Sequence, residues 1–167
     1  KGNSVITATP ATKFTLIGAI DFPYAAIGRQ IFSVDLSPRN FVEQIAPART
    51  FGFKNQVEQL RSQGLIKGGN LENSLVCNGD DWLNPPLRFK DEPVRHKMLD
   101  ALGDIALAGY PIIGHYSGYR AGHGITHGLL RKLFSDPQNF DIISCDKETV
   151  DNLPGSGVKL SEVCKVA

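Results

Sequence analysis

The chain has 167 residues, 41% hydrophobic and 21% charged, with a formal net charge of +1. This is the composition of a globular chain long enough for one domain with a real core. So neutral a balance excludes the basic footprint of a nucleic-acid or anionic-membrane binder, and no apolar run approaches the ~20 residues of a transmembrane helix.

Residues 1–11 are small, polar and proline-containing, and read as a leader or linker. Residues 13–22 alternate loosely between apolar and polar and predict a strand. A turn follows over 23–28, and Q-I-F-S-V-D-L (30–36) is β-rich. Ser37 before Pro38 is an N-cap with proline at the first helical position. Phe41, Val42 and Ile45 give that helix an apolar face, which ends near Pro47. Residues 49–53 predict a short strand. Residues 55–63 predict a polar helix with Val57 and Leu60 on one side, closed by Gly64. Residues 65–69, 74–77 and 87–89 are short strand candidates among glycines and the Asn84-Pro85-Pro86 turn. A helix is expected over 91–108, acidic in its first turn and with Gly109 past its end. A strand over 112–119 and a helix over 121–134 follow. Beyond Asp136 the composition shifts, and residues 136–167 read as a loosely ordered tail.

This order predicts an α+β two-layer sandwich, with helices packed on one face of a mixed sheet and a small α/β insert. The three cysteines, Cys77, Cys145 and Cys164, are widely spaced. They suggest reduced thiols in a cytoplasmic protein rather than a disulfide framework or a zinc-type pair.

The chemistry concentrates in R-H-K-M-L-D-A-L-G-D (95–104). His96, Asp100 and Asp104 follow one another at steps of four, which keeps them on nearly one helix face. One imidazole and one carboxylate a turn apart can reach a single metal ion, and these ligand types suit zinc. Val94, Met98, Ala101, Leu102 and Ile105 form an apolar stripe beside them. Asp104, one turn further on, can orient another group, such as His123 nineteen residues later. The plain alternative is a solvated helix face with no metal.

Five segments in order strengthen the functional reading: A-R-T-F-G-F (48–53), G-L-I-K-G-G (64–69), L-R-F-K-D-E (87–92), the 95–104 stretch and Y-R-A-G-H (119–123). Together they resemble the zinc-dependent UDP-3-O-acyl-N-acetylglucosamine deacetylases of lipid A biosynthesis, over about residues 13–134. The resemblance covers the second of that family's two domains, here 12–135. It implies a βαβ insert at about 54–84. It also implies Zn2+ as cofactor, with His96 and Asp100 as two ligands. His123 would be the catalytic acid, held and charged by Asp104, with Thr50 and Lys97 stabilising developing charge. Asp21 and Phe22 would engage uridine, Phe51 would line the substrate site, and Arg120 would grip a phosphate. Val57 and Ile66, with Leu60 and Val76, would line an apolar passage for the acyl chain. The family's third ligand, a histidine, and its glutamate base lie in the first domain. His115 or His127 is a remote substitute for that ligand.

Two functions follow. The first is hydrolysis of the N-acetyl group of UDP-3-O-acyl-N-acetylglucosamine, with a chain carrying the first domain as partner. The second is a non-catalytic remnant or subunit that binds a UDP-sugar or an acyl chain.

Overall fold

The computed structural model describes residues 2–153. Its main sheet has the order β1-β7-β2-β3. The strands are β1 (Val5–Thr9), β2 (Thr15–Asp21), β3 (Arg29–Asp35) and β7 (His115–Tyr119). β2 pairs parallel with β7, while the other two pairings are antiparallel. The sheet is therefore mixed, as expected. Leu16, Gly18 and Ile20 of β2 point inward, as do Phe32 and Val34 of β3 and Tyr116 of β7. That alternation is the period of a half-buried strand.

Against this inner face lie α3 (Glu92–Ile105) and α4 (His123–Phe134). α3 buries Val94, Met98, Ala101 and Ile105, the apolar stripe read from its spacing. Met98 seats on Gly18, where a β-carbon would collide with its thioether end. Leu16 and Val94 are wholly buried, each contributing roughly 1.5–3 kcal/mol relative to exposure. Gly109 takes φ 77° and ends the helical run after a short 3-10 turn, Ala106–Ala108.

A second sheet, β4-β5-β6, forms the insert. β4 (Thr50–Phe53) and β5 (Ser74–Asn78) are parallel and joined through α2 (Lys54–Ser62). This is the expected βαβ unit, with β4 as its first strand. β6 (Asp81–Trp82) pairs back on β5 across Gly79, whose φ is 68°.

Four stretches differ from expectation. Residues 1–11, read as a leader or linker, supply β1, which pairs along its length with β7. Four of its five residues are exposed, so no inward apolar alternation marked it. Residues 65–69 form a turn rather than a strand, with Gly64 and Ile66 both at positive φ. Residues 87–89 also form no strand, because the Arg88 N–H and guanidinium are drawn to Glu92 and to the Pro47 carbonyl. Ser37 caps Asn40 as expected, but α1 (Pro38–Asn40) passes at once into a π-helical turn, Phe41–Ile45, that leaves Val42 exposed. In the tail, α5 (Lys147–Asp151) is capped by Asp146, whose carboxylate accepts from the Thr149 N–H and is held below its usual range by it. The expectation for 154–167 lies outside the described residues.

Candidate active site

α3 carries the polar row expected of it. His96 Nε2 lies 3.5 Å from Asp100 Oδ1, while Lys97 Nζ donates to Asp100 Oδ2 at 2.6 Å. The carboxylate is thus divided, one oxygen toward the imidazole and one toward the ammonium. The other His96 nitrogen, Nδ1, sits 3.1 Å from the Ala48 carbonyl. A carbonyl only accepts, so this contact places the proton on Nδ1 and leaves the Nε2 lone pair facing Asp100. A ring pinned by a backbone carbonyl with its far nitrogen free is the usual arrangement of a metal-binding histidine. The pair therefore fits a zinc ion with two ligands, one short of a catalytic set. Among the described residues, no third His, Cys, Asp or Glu completes a metal-binding group.

The Ala48 carbonyl is itself held by a buried strut. Glu92, in the first turn of α3, is fully buried. It accepts from the Arg49 N–H and Nε, from Arg49 Nη2 and from the Arg88 N–H. Burial alone would raise its pKa, but the Arg49 guanidinium and the two backbone donors outweigh that and hold it below the usual carboxylate range. This strut joins α3 to the segment entering β4, so Thr50 and His96 line one open cleft of about 470 Å³. Arg49, Arg88 and Asn70 share its wall.

One turn beyond Asp100, Asp104 is only 8% exposed. His123 Nδ1 lies 2.9 Å from both of its oxygens. His123 stands at the start of α4, on the extended Gly122 cap. A second histidine, His127, also reaches Asp104, with Nε2 2.9 Å from Oδ1. The contact is new relative to the sequence reading, although H-G-I-T-H at a step of four places both rings on one face. Nearby, burial pushes the Tyr116 phenol up, and its hydroxyl lies 3.4 Å from Thr126 Oγ1.

The remaining candidates form two groups. Asp21 Oδ2 accepts from Tyr119 Oη at 3.1 Å and from Arg120 Nη2 at 2.9 Å. Tyr119 first, and then Arg120, hold that carboxyl below its usual range. Arg120 adopts φ 50°, a left-handed conformation fixed by its N–H on the Ala19 carbonyl and by Ser4 Oγ on its own carbonyl. Phe22 packs edge-on to Phe51 at 5.6 Å and near Phe53 at 5.8 Å. In the insert, Val57 is half-buried against Gly52, Val76 is buried, and Ile66 is exposed. The structure thus joins His96, Asp100 and Lys97; Asp104 and His123; Asp21 and Arg120; and Phe22 and Phe51.

No helix among the described residues is long and apolar enough to cross a membrane.

Residues 1–135 match the family model of UDP-3-O-acyl N-acetylglycosamine deacetylase. The chain is 55% identical to a UDP-3-O-acyl-N-acetylglucosamine deacetylase of Thermosynechococcus vestitus over 133 residues, 80% of this chain and 46% of that relative. It is 43% identical to the one of Myxococcus xanthus over 153 residues, covering 91% and 49%. For the one of Synechocystis the identity is 48% over 131 residues, covering 78% and 48%. The chain spans about half the length of the curated relatives it matches. With a match over residues 1–135 and identities of this size, the chain belongs to the UDP-3-O-acyl N-acetylglycosamine deacetylase family.

Proposed function

We propose that this chain is the second domain of a zinc-dependent deacetylase that removes the N-acetyl group of UDP-3-O-acyl-N-acetylglucosamine in lipid A biosynthesis, in the cytoplasm. Residues 1–135, with β1 in the main sheet, would form the domain, and the tail from 136 would lie outside it. The observation that carries the reading is the row on α3: a histidine with its free nitrogen on a carboxylate, and a second carboxylate holding His123.

His96 and Asp100 would hold the zinc. When bound, zinc supplies Lewis acidity toward the amide and lowers the pKa of water. The Ala48 carbonyl keeps the His96 ring turned for that task. His123 keeps its Nδ1 proton on Asp104 and so presents Nε2 outward, where it can carry a proton to the leaving amine. In its charged form it would also stabilise a developing oxyanion. Thr50 stands in the same cleft as His96 with a hydroxyl to donate. Lys97 adds positive charge beside Asp100. Asp21 with Phe22 would engage the uridine, with Phe51 packed on Phe22, and Arg120 a phosphate. Val57 and Ile66 would meet the acyl chain. The third ligand and the general base would come from the family's first domain.

The test is reconstitution. This chain, mixed with a relative's first domain and zinc, should release acetate from the substrate, and the chain alone should not. His123→Ala should slow the assembly by ~10²–10⁴-fold, the range of a positioned acid. An assembly that docks and binds zinc but tolerates His123→Ala would overturn the assignment.

A further inference from the structure

We propose that His127 is a positioning residue: it pins the Asp104 carboxylate and thereby fixes the tautomer and orientation of His123. The contact itself stands on geometry; its consequence for catalysis rests on the deacetylase reading.

The argument starts at Asp104. An ionised carboxylate only accepts, so every nitrogen facing it must carry a proton. His123 Nδ1 is 2.9 Å from both oxygens, and His127 Nε2 is 2.9 Å from Oδ1. His123 is therefore the Nδ1–H tautomer and His127 the Nε2–H tautomer. The terminal torsion of an aspartate is broad, so staggered rotamers do not set the plane of its carboxylate. Hydrogen bonds do. With His123 alone, the carboxylate and the ring could turn together about their shared axis. His127 approaches one oxygen only, from one turn further along the same helix, with the two ring centroids 6.3 Å apart. That second donor removes the shared rotation.

The exposures divide the roles. His123 has 62% of its side chain in solvent and His127 37%, while Asp104 between them has 10%. His123 offers its free edge to a reactant, and His127 spends its proton on the carboxylate. His127 is also the residue at which this chain places a donor without needing its charge. The neutral imidazole suffices, so a neutral amide of similar reach should replace it.

Imidazole nitrogen–proton correlation spectra of the ¹⁵N-labelled chain read the tautomer of each histidine directly. In the unsubstituted protein we expect His123 as Nδ1–H and His127 as Nε2–H. His127 found as Nδ1–H would overturn the proposal without any variant. His127→Ala should cost His123 its predominant Nδ1–H signature, leaving a mixture of tautomers. His127→Gln, whose amide reaches about as far as Nε2, should restore it. An unchanged His123 spectrum in His127→Ala, or no recovery in a folded His127→Gln, would also overturn it. In the reconstituted assembly, His127→Ala should lower kcat by ~10-fold or more at unchanged KM, as for other partners of site residues, and His127→Gln should recover it. An assembly without deacetylase activity would sink the functional reading, while the spectra would still decide the contact.

Discussion

The Glu92–Arg49 strut is the most informative place to perturb this molecule, because fold and site both hang from it. Glu92 is fully buried and the Arg49 side chain is 9% exposed. Both Glu92 oxygens are doubly engaged: Oε1 by the Arg49 N–H and Nε, Oε2 by Arg49 Nη2 and the Arg88 N–H. Charged hydrogen bonds are worth ~1.5–3 kcal/mol each, so a naive sum overshoots, because desolvating both ions offsets most of it. The relevant quantity is the cost of breaking the pair. Glu92→Ala leaves a buried guanidinium and two backbone N–H groups without their acceptor, and should destabilise by ~3–5 kcal/mol. Urea unfolding reads this as a fall in midpoint at unchanged slope. Arg49→Met should cost a similar amount. The double variant should cost clearly less than the sum, since no charge is then stranded, with a coupling of up to ~3 kcal/mol. Loss of the strut also frees the Ala48 carbonyl, so zinc affinity should fall in the same variants. A Glu92→Ala cost below ~1 kcal/mol, the level of a surface pair, would refute the reasoning. The pH dependence has a definite sign. Pairing with Arg49 overcomes burial and holds the folded-state pKa of Glu92 below its unfolded value, about 4.3. Its contribution is therefore complete above that pH and is lost as pH falls through the lower, folded value. In Glu92→Gln this part of the acid destabilisation should disappear.

Leu16→Ala, at a wholly buried position of β2, should cost ~2–5 kcal/mol by thermal or urea unfolding; a cost under ~1 would mean the sheet centre is misplaced. The Arg95 guanidinium lies 4.2 Å from the Phe32 centroid and 4.4 Å from that of Phe89, and donates to Asp91 and the Gln44 carbonyl. Arg95→Ala should lose ~1–3 kcal/mol, and Arg95→Lys should recover little, because an ammonium cannot stack flat between two rings. Metal analysis of the dialysed chain should find well below one zinc per chain, since His96 and Asp100 would supply two ligands where a catalytic site needs three; tightly held stoichiometric zinc would show that a third ligand lies within these residues.

The features legible in the sequence were those fixed by local period. The step of four from His96 to Asp100 to Asp104 placed three polar groups on one helix face, and the stripe beside them said which face was buried. Ser37-Pro38, Gly64 and Gly109 marked helix ends because capping is a matter of adjacent residues. Loose alternation found β2, and β-rich composition found β3, and both have an inward row of buried residues. The motifs of residues 48–123 carried the family.

Tertiary structure decided what depends on partners far along the chain. β1 is a strand only because β7, over a hundred residues away, offers it an edge. Residues 65–69 and 87–89 have strand-like composition but no neighbour to pair with. Glu92 looked like an ordinary acid at a helix start, where a negative charge favours the dipole; Arg49, 43 residues earlier, makes it the buried strut of the site. Asp104 was expected to hold one histidine and holds two, because α4 packs across α3 so that both His123 and His127 face it. Helical period can say that two residues share a face, but which carboxylate that face meets is set by how the helices dock on the sheet.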